Sequence, residues 1–303
     1  MSYHRTHRAH LIIVAAAATL AVAPLTTKML TGPLDPIAIA LWRTVLSLPA
    51  LLVVLLVLRI RLPHTRDAWI SAAIGGFALV AAPFGALAWG QVYVSSSMGG
   101  VLYGATPLVV ALLAWLLLRQ ERAGASEIVG ALIGLTGVLV LIGPNTVSGL
   151  SSLGLGQLIT LAGPLSYALG TVLLRRRPKE DALALTAGMY LVGSALLLAF
   201  AVLFGAGIQL PDTSTVGPLL VLAGLGSVVP TICMYLAIQW AGATRAAFAM
   251  LILPLFSMAY GWLFLSEVPS IVMLCGCGLI IAGCAVTLHG PQAKPTTPPE
   301  ATA

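Results

Sequence analysis

The stretch ATPLVVALLAWLLLRQE at residues 105–121 returns in altered form as ILPLFSMAYGWLFLSE at residues 252–267. Each stretch has a proline near its start, continues as a long apolar run and closes on a glutamate. Three pairs of residues match at an offset of 146 or 147 positions: Pro107 with Pro254, Trp115 with Trp262, and Glu121 with Glu267. Identical residues at a fixed offset indicate an internal repeat.

The repeat extends beyond these two stretches. Upstream, Pro83 and Pro230 precede Pro107 and Pro254 by 24 residues in both halves. Downstream, two pairs of glycines match at an offset of 146: Gly130 with Gly276, and Gly137 with Gly283. The chain therefore consists of two related halves.

Apolar residues dominate the whole chain. Of its 303 residues, 59% are hydrophobic and 8% are charged, whereas a soluble domain is about 25% charged. Backbone groups in a bilayer must bond within their own segment, so apolar runs of about 20 residues must be helices. We predict an all-α membrane protein with ten transmembrane helices, over residues 11–31, 36–58, 68–92, 96–118, 125–143, 154–174, 183–205, 216–240, 243–265 and 269–288.

Each half holds five of these helices, and an odd number makes the second half enter the membrane from the opposite side. We predict two inverted five-helix repeats at 11–143 and 154–289, joined by an outer linker at 144–153. Residues 1–10 and the Pro-, Thr- and Ala-rich tail at 290–303 are predicted to be cytoplasmic, with the tail disordered. Inverted repeats in a helical membrane protein are typical of secondary transporters, whose substrate site lies near the middle of the bilayer.

The basic residues predict the orientation. Lysine and arginine concentrate in short cytoplasmic loops. With the amino terminus inside, all 15 of them except Lys28 and Arg43 fall in cytoplasmic segments. We therefore expect a multi-pass protein of the bacterial inner membrane with both termini in the cytoplasm. The net charge of +6 follows from this topology, so the lipid bilayer is an expected partner and nucleic acid is not.

The two quoted stretches, with the glycine-rich segments GALIGLTGVLVLIG and GCGLIIAGC that follow them, resemble the two EamA domains of the drug/metabolite transporter superfamily. The resemblance covers about residues 11 to 289. It implies a ten-helix exporter of small metabolites such as amino acids. Helices 1 to 4 and 6 to 9 would surround a central cavity, and helices 5 and 10 would be peripheral. A lysine in helix 1 and an arginine in helix 2, here Lys28 and Arg43, also resemble the family pattern.

No motif for hydrolysis, redox chemistry or phosphate binding is present. The nine acidic residues all lie in loops or at helix ends, so no carboxylate lies at mid-membrane, where a proton and a cationic drug would compete for it. The four cysteines lie in apolar segments without metal-ligand spacing: Cys233, Cys275, Cys277 and Cys284. We expect no enzyme, no cofactor and no metal site, with protons as a candidate coupling ion.

Lys28 and Arg43 are the two basic residues that the topology does not explain. Lys28 lies about 5 Å from the end of helix 1 at 1.5 Å per residue, so it either reaches the outer interface or binds substrate. Arg43 lies about 10 Å inside helix 2, where it bonds backbone carbonyls, pairs with Asp35 or binds substrate. Two cations that face a cavity from adjacent helices would attract the carboxylate of a zwitterionic or anionic substrate.

Several deeper aromatic and polar side chains are candidates to line an amphipathic cavity. These predicted substrate-binding residues are Trp42, Trp89, Gln91, Tyr103, Thr106, Tyr167 and Tyr235. Four repeat-related prolines are candidate hinges or fixed kinks, because each removes a backbone donor from its helix: Pro83, Pro107, Pro230 and Pro254.

These features predict a secondary transporter that exports small amphipathic metabolites, with amino acids as the first candidate. Alternating access would come from rocking of the two repeats about a central site. Two alternatives stay open from sequence: exchange of an organic anion or phosphate ester, and a membrane component that transports nothing. We expect the protein to act as a monomer or a homodimer.

Overall fold

Each of the ten predicted helices is present in the computed structural model, which describes residues 2–117, 125–143, 152–178, 180–204 and 208–289. The tail and most of the predicted linker lie outside these residues. The helices are α1 Arg8–Leu30, α2 Pro36–Leu58, α3 Arg66–Gly90, α4 Ser96–Leu117, α5 Ala125–Ile142, α6 Ser152–Leu174, α7 Ala182–Leu203, α8 Thr213–Ala241, α9 Phe248–Leu265 and α10 Ile271–His289. In the described part of the chain no strand interrupts them, and the predicted fold class is confirmed.

Most of these helices are long and apolar enough to span a membrane. Among the described residues, eight meet that condition outright, and α5 and α10 contain shorter apolar segments, Ile128–Ile142 and Ile271–Thr287. The helical backbone that contains α1 starts at Ser2 rather than at residue 11. It is interrupted by a turn at Ala21. No proline or glycine lies before residue 11 to end a helix there, so helix formation continues past the apolar run.

Two helices carry a wider turn at equivalent positions. A π-helical segment, Gly76–Ala81, lies within α3, and a second, Gly224–Val228, lies within α8. Pro83 and Pro230 follow these segments directly in the next α-helical turn. A proline has no N–H for the carbonyl four residues earlier, and π-helical turns of this kind are often found at functional sites.

The second pair of repeat-related prolines behaves differently in the two halves. In α4 the helix is interrupted at Ala105, two residues before Pro107. In α9 the helix runs from Phe248 to Leu265 without interruption and contains Pro254 in its interior. The structure thus gives three of the four predicted prolines an irregular backbone nearby and gives Pro254 a regular one.

The contact between α5 and α10 shows how the two repeats are related. A Cβ atom added at Gly130 would lie 2.6 Å from the carbonyl oxygen of Gly283, and one added at Gly137 would lie 2.8 Å from that of Gly276. The residue numbers rise along α5 as they fall along α10, so the helices are antiparallel. Each glycine packs against the repeat equivalent of the other, which is the self-complementary contact that a two-fold relation produces.

Other helices also pair across the repeats. Helix α3 packs on α6, where Gly90 lies against Gly156, and the equivalent helices α8 and α1 pack together through residues that include Ala237 and Ala17. Helices α2 and α7 form a third pair. One buried apolar cluster takes residues from α2, α3, α7 and α8 together: Leu51, Val80, Met189, Tyr190 and Val228. The centre of the bundle is therefore built by both halves.

Candidate functional site

Arg43 is a buried cation near the centre of α2, with 6% of its surface exposed. Its Nε donates to Ser227 Oγ at 2.8 Å, and its Nη2 donates to the carbonyl oxygen of Gly226 at 2.9 Å. Both acceptors belong to the π-helical segment of α8. Pro230 cannot bond the carbonyl of Gly226, four residues earlier, so that oxygen is open to a side chain. The arginine takes this place and joins α2 to α8.

Aromatic rings surround the same guanidinium. Arg43 Cζ lies 3.6 Å from the ring centroid of Phe84 in α3, a position in which a cation is attracted to the face of the ring. Phe84 in turn meets Tyr190 of α7 edge to face, with ring centroids 6.0 Å apart. The Tyr103 hydroxyl donates to the carbonyl oxygen of Pro83. Arg43 therefore lies between polar groups of α8 and an aromatic wall formed by Phe84 of α3, Tyr103 of α4 and Tyr190 of α7.

No described carboxylate neutralises Arg43. Among the described residues, an ion pair joins Arg177 to Asp67 at the arginine-rich end of the bundle. Asp35, the carboxylate considered from sequence, forms no ion pair with Arg43 in the described part of the chain. Its backbone N–H donates to Gln209 Oε1 at 2.7 Å. The guanidinium has five N–H donors, and its Nη1 makes no hydrogen bond to any residue that the structure describes. A buried guanidinium with open donors can bind a carboxylate.

Lys28 lies near the end of α1. Its Nζ donates to the carbonyl oxygen of Gln91 at 2.7 Å. The side chain of Gln91 is fully buried, and neither its Oε1 nor its Nε2 has a hydrogen-bond partner among the described residues. Gln91 lies just past the end of α3 and packs against Gly99 of α4. These residues connect α1, α3 and α4 at one end of the bundle, and Lys28 and Arg43 share no hydrogen-bond partner among the described residues.

Glu267 belongs to the same end of the bundle and caps α4. Its carboxylate accepts hydrogen bonds from the backbone N–H groups of Ser96 and Ser97 at 2.8 and 2.9 Å, and from their hydroxyls at 2.9 and 2.7 Å. Partial burial opposes ionisation of Glu267, but these bonds, those of Ser97 first, outweigh it and lower its pKa below 4.5. The sequence showed a repeated glutamate after α9 and three serines at 95–97, but not that they meet.

Three of the predicted binding residues lie away from the arginine. The Trp42 indole N–H donates to the carbonyl oxygen of Gln209 at 2.8 Å, and the ring borders an apolar groove between α2 and α7. Trp89 is 44% exposed and shares a helix face with Gly85, where an added Cβ atom would meet nothing within 4 Å. Tyr235 packs beside a buried apolar cluster at the other end of α2.

The other three are closer to the centre. Tyr103 packs against Gly163 of α6, and the Thr106 hydroxyl donates to the carbonyl oxygen of Tyr103 at 2.6 Å. Tyr167 of α6 is half-buried. Of the predicted set, the structure therefore brings Tyr103 towards Arg43 and leaves the Thr106 hydroxyl bonded within its own helix.

Three residues at the centre were missed from sequence: Phe84, Tyr190 and Ser227. Tyr190 follows Arg43 by the repeat offset of 147, so the arithmetic of the repeat was a signal for it. Ser227 lies three residues before a repeat-related proline, which is a weaker signal. The contact that joins these residues to Arg43 depends on tertiary packing.

The EamA-like transporter family matches residues 7–143 and 154–289, which include all ten helices except the first two residues of α6. The chain belongs to the EamA-like transporter family. The boundaries of the two matched regions agree with the two halves of the bundle, so each region is one repeat.

Several relatives of this EamA-like transporter are known. A WAT1-related chloroplastic protein of Arabidopsis thaliana is 32% identical over 238 residues, which are 75% of this chain and 55% of that protein. The match thus spans about half the length of that relative. An uncharacterized transporter of Archaeoglobus fulgidus is 25% identical over 257 residues, 84% of this chain and 88% of that protein. The family and these relatives make the protein a membrane transporter of the drug/metabolite type.

A solved structure described only as "Crystal structure of protein" has the same fold. It superposes with a TM-score of 0.65 at 22% identity, over 93% of this chain and 97% of that one. The likeness supports the bundle described above and carries no information on substrate.

Proposed function

We propose that this EamA-like transporter exports small amphipathic metabolites that carry a carboxylate, with amino acids and related zwitterions as the substrate class. Arg43 would bind the carboxylate, and the aromatic wall of Phe84, Tyr190 and Tyr103 would contact the apolar part. Export across a bacterial cell membrane, with both termini in the cytoplasm, is part of the proposal and is supported by the concentration of arginines at one end of the bundle.

The observation that carries the proposal is the state of Arg43. A charged group at the centre of a membrane helix costs about 2.5 to 3.5 kcal/mol, and such groups usually have a partner. Here the partners are neutral, namely Ser227 and the carbonyl of Gly226, and Nη1 is bonded to no described residue. A substrate carboxylate supplies the missing negative charge and leaves again when the site opens.

The structure offers less support for exchange of an organic anion or a phosphate ester. A doubly charged phosphate would favour two cations in one site. Lys28 instead bonds Gln91 and lies near enough to Glu267 for the opposite charges to interact. The single cation at the centre fits a substrate with one carboxylate better.

The test is transport by purified protein in proteoliposomes. Efflux of a panel of labelled amino acids is measured for the wild type and for Arg43→Gln, with and without a pH gradient that tests protons as the coupling ion. We expect the wild type to move at least one zwitterionic amino acid and Arg43→Gln to lose at least about tenfold in rate, the effect of one charge-assisted hydrogen bond.

Arg61→Gln is the matched control, because it removes the same charge from an exposed residue in the loop between α2 and α3. It should transport at the wild-type rate. Gel filtration of each variant shows whether it is folded. A folded Arg43→Gln protein that transports the panel normally would refute the proposal and leave Arg43 a structural link between α2 and α8.

A further inference from the structure

The repeat offset identifies the equivalent, in the other half, of each residue in the Arg43 contact. At 147 residues, Arg43 corresponds to Tyr190, and Gly226 corresponds to Leu79. The equivalence is visible in the backbone and in the side chains beside it. Ser47 Oγ donates to the carbonyl oxygen of Arg43 at 2.7 Å, and Ser194 Oγ, its repeat equivalent, donates to that of Tyr190 at 2.7 Å. Arg43 and Tyr190 therefore occupy the same position on α2 and α7.

The π-helical segments of α3 and α8 are also equivalent. In α3 the N–H of Ala82 bonds the carbonyl oxygen of Phe77, and in α8 the N–H of Val229 bonds that of Gly224. These two bonds correspond at the same offset. Pro83 removes the α-helical donor for the carbonyl of Leu79, as Pro230 does for the carbonyl of Gly226.

The two carbonyls nevertheless differ in what reaches them. Gly226 accepts from the cationic Arg43. The equivalent residue in the other half, Tyr190, is neutral, and no side chain of a described residue donates to the carbonyl of Leu79. Its neighbours do have donors, since Ser166 Oγ bonds the carbonyl of Ala78 at 3.1 Å and the Tyr103 hydroxyl bonds that of Pro83. Pro83 removes the α-helical donor of the Leu79 carbonyl, so this carbonyl has capacity for a further donor.

The position of this carbonyl suits a ligand held by Arg43. A helical carbonyl points towards the residues four and five positions later, which are Pro83 and Phe84. Arg43 Cζ lies 3.6 Å from the ring centroid of Phe84. Leu79 itself packs against the cluster that contains Tyr190. The carbonyl of Leu79 and the guanidinium of Arg43 are thus both close to Phe84.

We infer that the carbonyl of Leu79 accepts a hydrogen bond from the ammonium group of the substrate while Arg43 holds its carboxylate. The inference rests on the proposed function and narrows its substrate class to α-amino acids. In this arrangement the substrate ammonium occupies, in the first half, the place that Arg43 occupies in the second. The Tyr190 hydroxyl bonds Ser227 and Thr231 of α8, so it leaves this place open.

The probes are tritiated L-leucine and 4-methylpentanoate, which is leucine without its amino group. Counterflow in proteoliposomes gives the preference for leucine as the ratio of the two specificity constants. Tyr190→Arg gives α7 a guanidinium at the position equivalent to Arg43, and this cation would compete with the ammonium for the carbonyl of Leu79. The preference should fall about tenfold or more, whereas Tyr190→Phe, which adds no charge, should change both specificity constants by the same factor.

Pro83→Ala gives a second readout in case Tyr190→Arg does not fold. Alanine supplies an N–H that can bond the carbonyl of Leu79. The KM for leucine should rise about tenfold, and the KM for 4-methylpentanoate should not change. Pro49→Ala is the matched control, because Pro49 is an exposed residue of α2 and lies outside both π-helical segments.

The outcomes separate this inference from the proposed function. If folded Tyr190→Arg or Pro83→Ala affects both probes equally or neither, while Arg43→Gln abolishes movement of both, the Leu79 contact is refuted and the proposed function stands. If the wild type moves no amino acid at all, the proposed function fails and the inference fails with it.

Discussion

The two repeats meet symmetrically at α5 and α10 and asymmetrically at the centre of the bundle. At the outer contact, both halves contribute the same residue type, and Gly130 faces Gly283 as Gly137 faces Gly276. At the centre, Arg43 faces Ser227 in the π-helical segment of α8. The equivalent pair in the other half is Tyr190 with Val80, which share an apolar cluster. One contact is polar and charged, and its counterpart is not.

The difference separates two requirements on the same sequence. Packing of antiparallel helices gains from identical small residues on both sides, because close approach depends on size alone. Recognition of an asymmetric ligand with a carboxylate at one end and an ammonium at the other requires different groups on the two sides. The two halves therefore have identical residues where they pack on one another and different residues where they would bind the substrate.

The largest effect is expected at the symmetric contact. A Cβ atom at Gly283 would lie 2.5 Å from the Gly130 carbonyl oxygen and from the Gly134 nitrogen, and backbone atoms of this kind cannot move aside singly. We predict that Gly283→Ala lowers the free energy of unfolding by about 3 kcal/mol, the upper part of the usual range for overpacking. Titration with SDS in mixed micelles measures this change.

Gly278→Ala is the control on the same helix. An added Cβ atom there would meet nothing within 4 Å, and alanine is the better helix former. It should be neutral or slightly stabilising. Equal destabilisation by Gly278→Ala and Gly283→Ala would show that alanine destabilises α10 for reasons other than the contact with α5. The symmetric glycine contact would then not be what stabilises the bundle.

A smaller effect is expected at the asymmetric contact. Ser227→Ala removes the acceptor of Arg43 Nε, and the loss of a hydrogen bond to a charged group costs about 2 kcal/mol. We also expect the KM for an amino-acid substrate to rise, because the guanidinium loses the bond that orients it. Unfolding in SDS and counterflow in proteoliposomes measure the two effects.

Val80→Ala is the matched variant in the other half. It removes apolar contacts at the equivalent position and should destabilise the bundle without a change in KM. A rise in KM that is the same for Val80→Ala and Ser227→Ala would mean that both segments act only through packing, and the central asymmetry would have no part in recognition.

Much of this fold was predictable from the chain alone. Apolar runs gave the ten helices because a bilayer leaves few alternatives, and the glycine pairs at an offset of 146 supported the two halves. The contact between α5 and α10 through these glycines was not predicted. The facing of single residues was not predictable. Trp42 and Arg43 are adjacent in sequence, yet one borders a surface groove and the other lies at the centre. The bond from Arg43 to Ser227 joins residues 184 positions apart, which no local pattern indicates.

The smallest effect concerns the cap that Glu267 forms on α4. Its repeat equivalent, Glu121, lies outside the described residues, so the cap extends the comparison on one side only. Glu267→Gln replaces a carboxylate that accepts four hydrogen bonds from Ser96 and Ser97 by a neutral amide. We predict a loss of about 1 kcal/mol in the free energy of unfolding at neutral pH, typical for a capping residue.

The pH dependence of this loss identifies its origin. Because folding lowers the pKa of Glu267 from its ordinary value of 4.5, the ionised carboxylate stabilises the folded state at pH values above 4.5. This contribution is lost as the pH falls through the folded-state pKa, so the difference between wild type and Glu267→Gln should shrink in acid. Asp35→Asn is the control at the same end, because the Asp35 side chain makes no capping hydrogen bond. A difference for Glu267→Gln that is constant from neutral pH to below 4.5 would show that the charge of Glu267 does not contribute and that shape alone holds α4 against the end of α9.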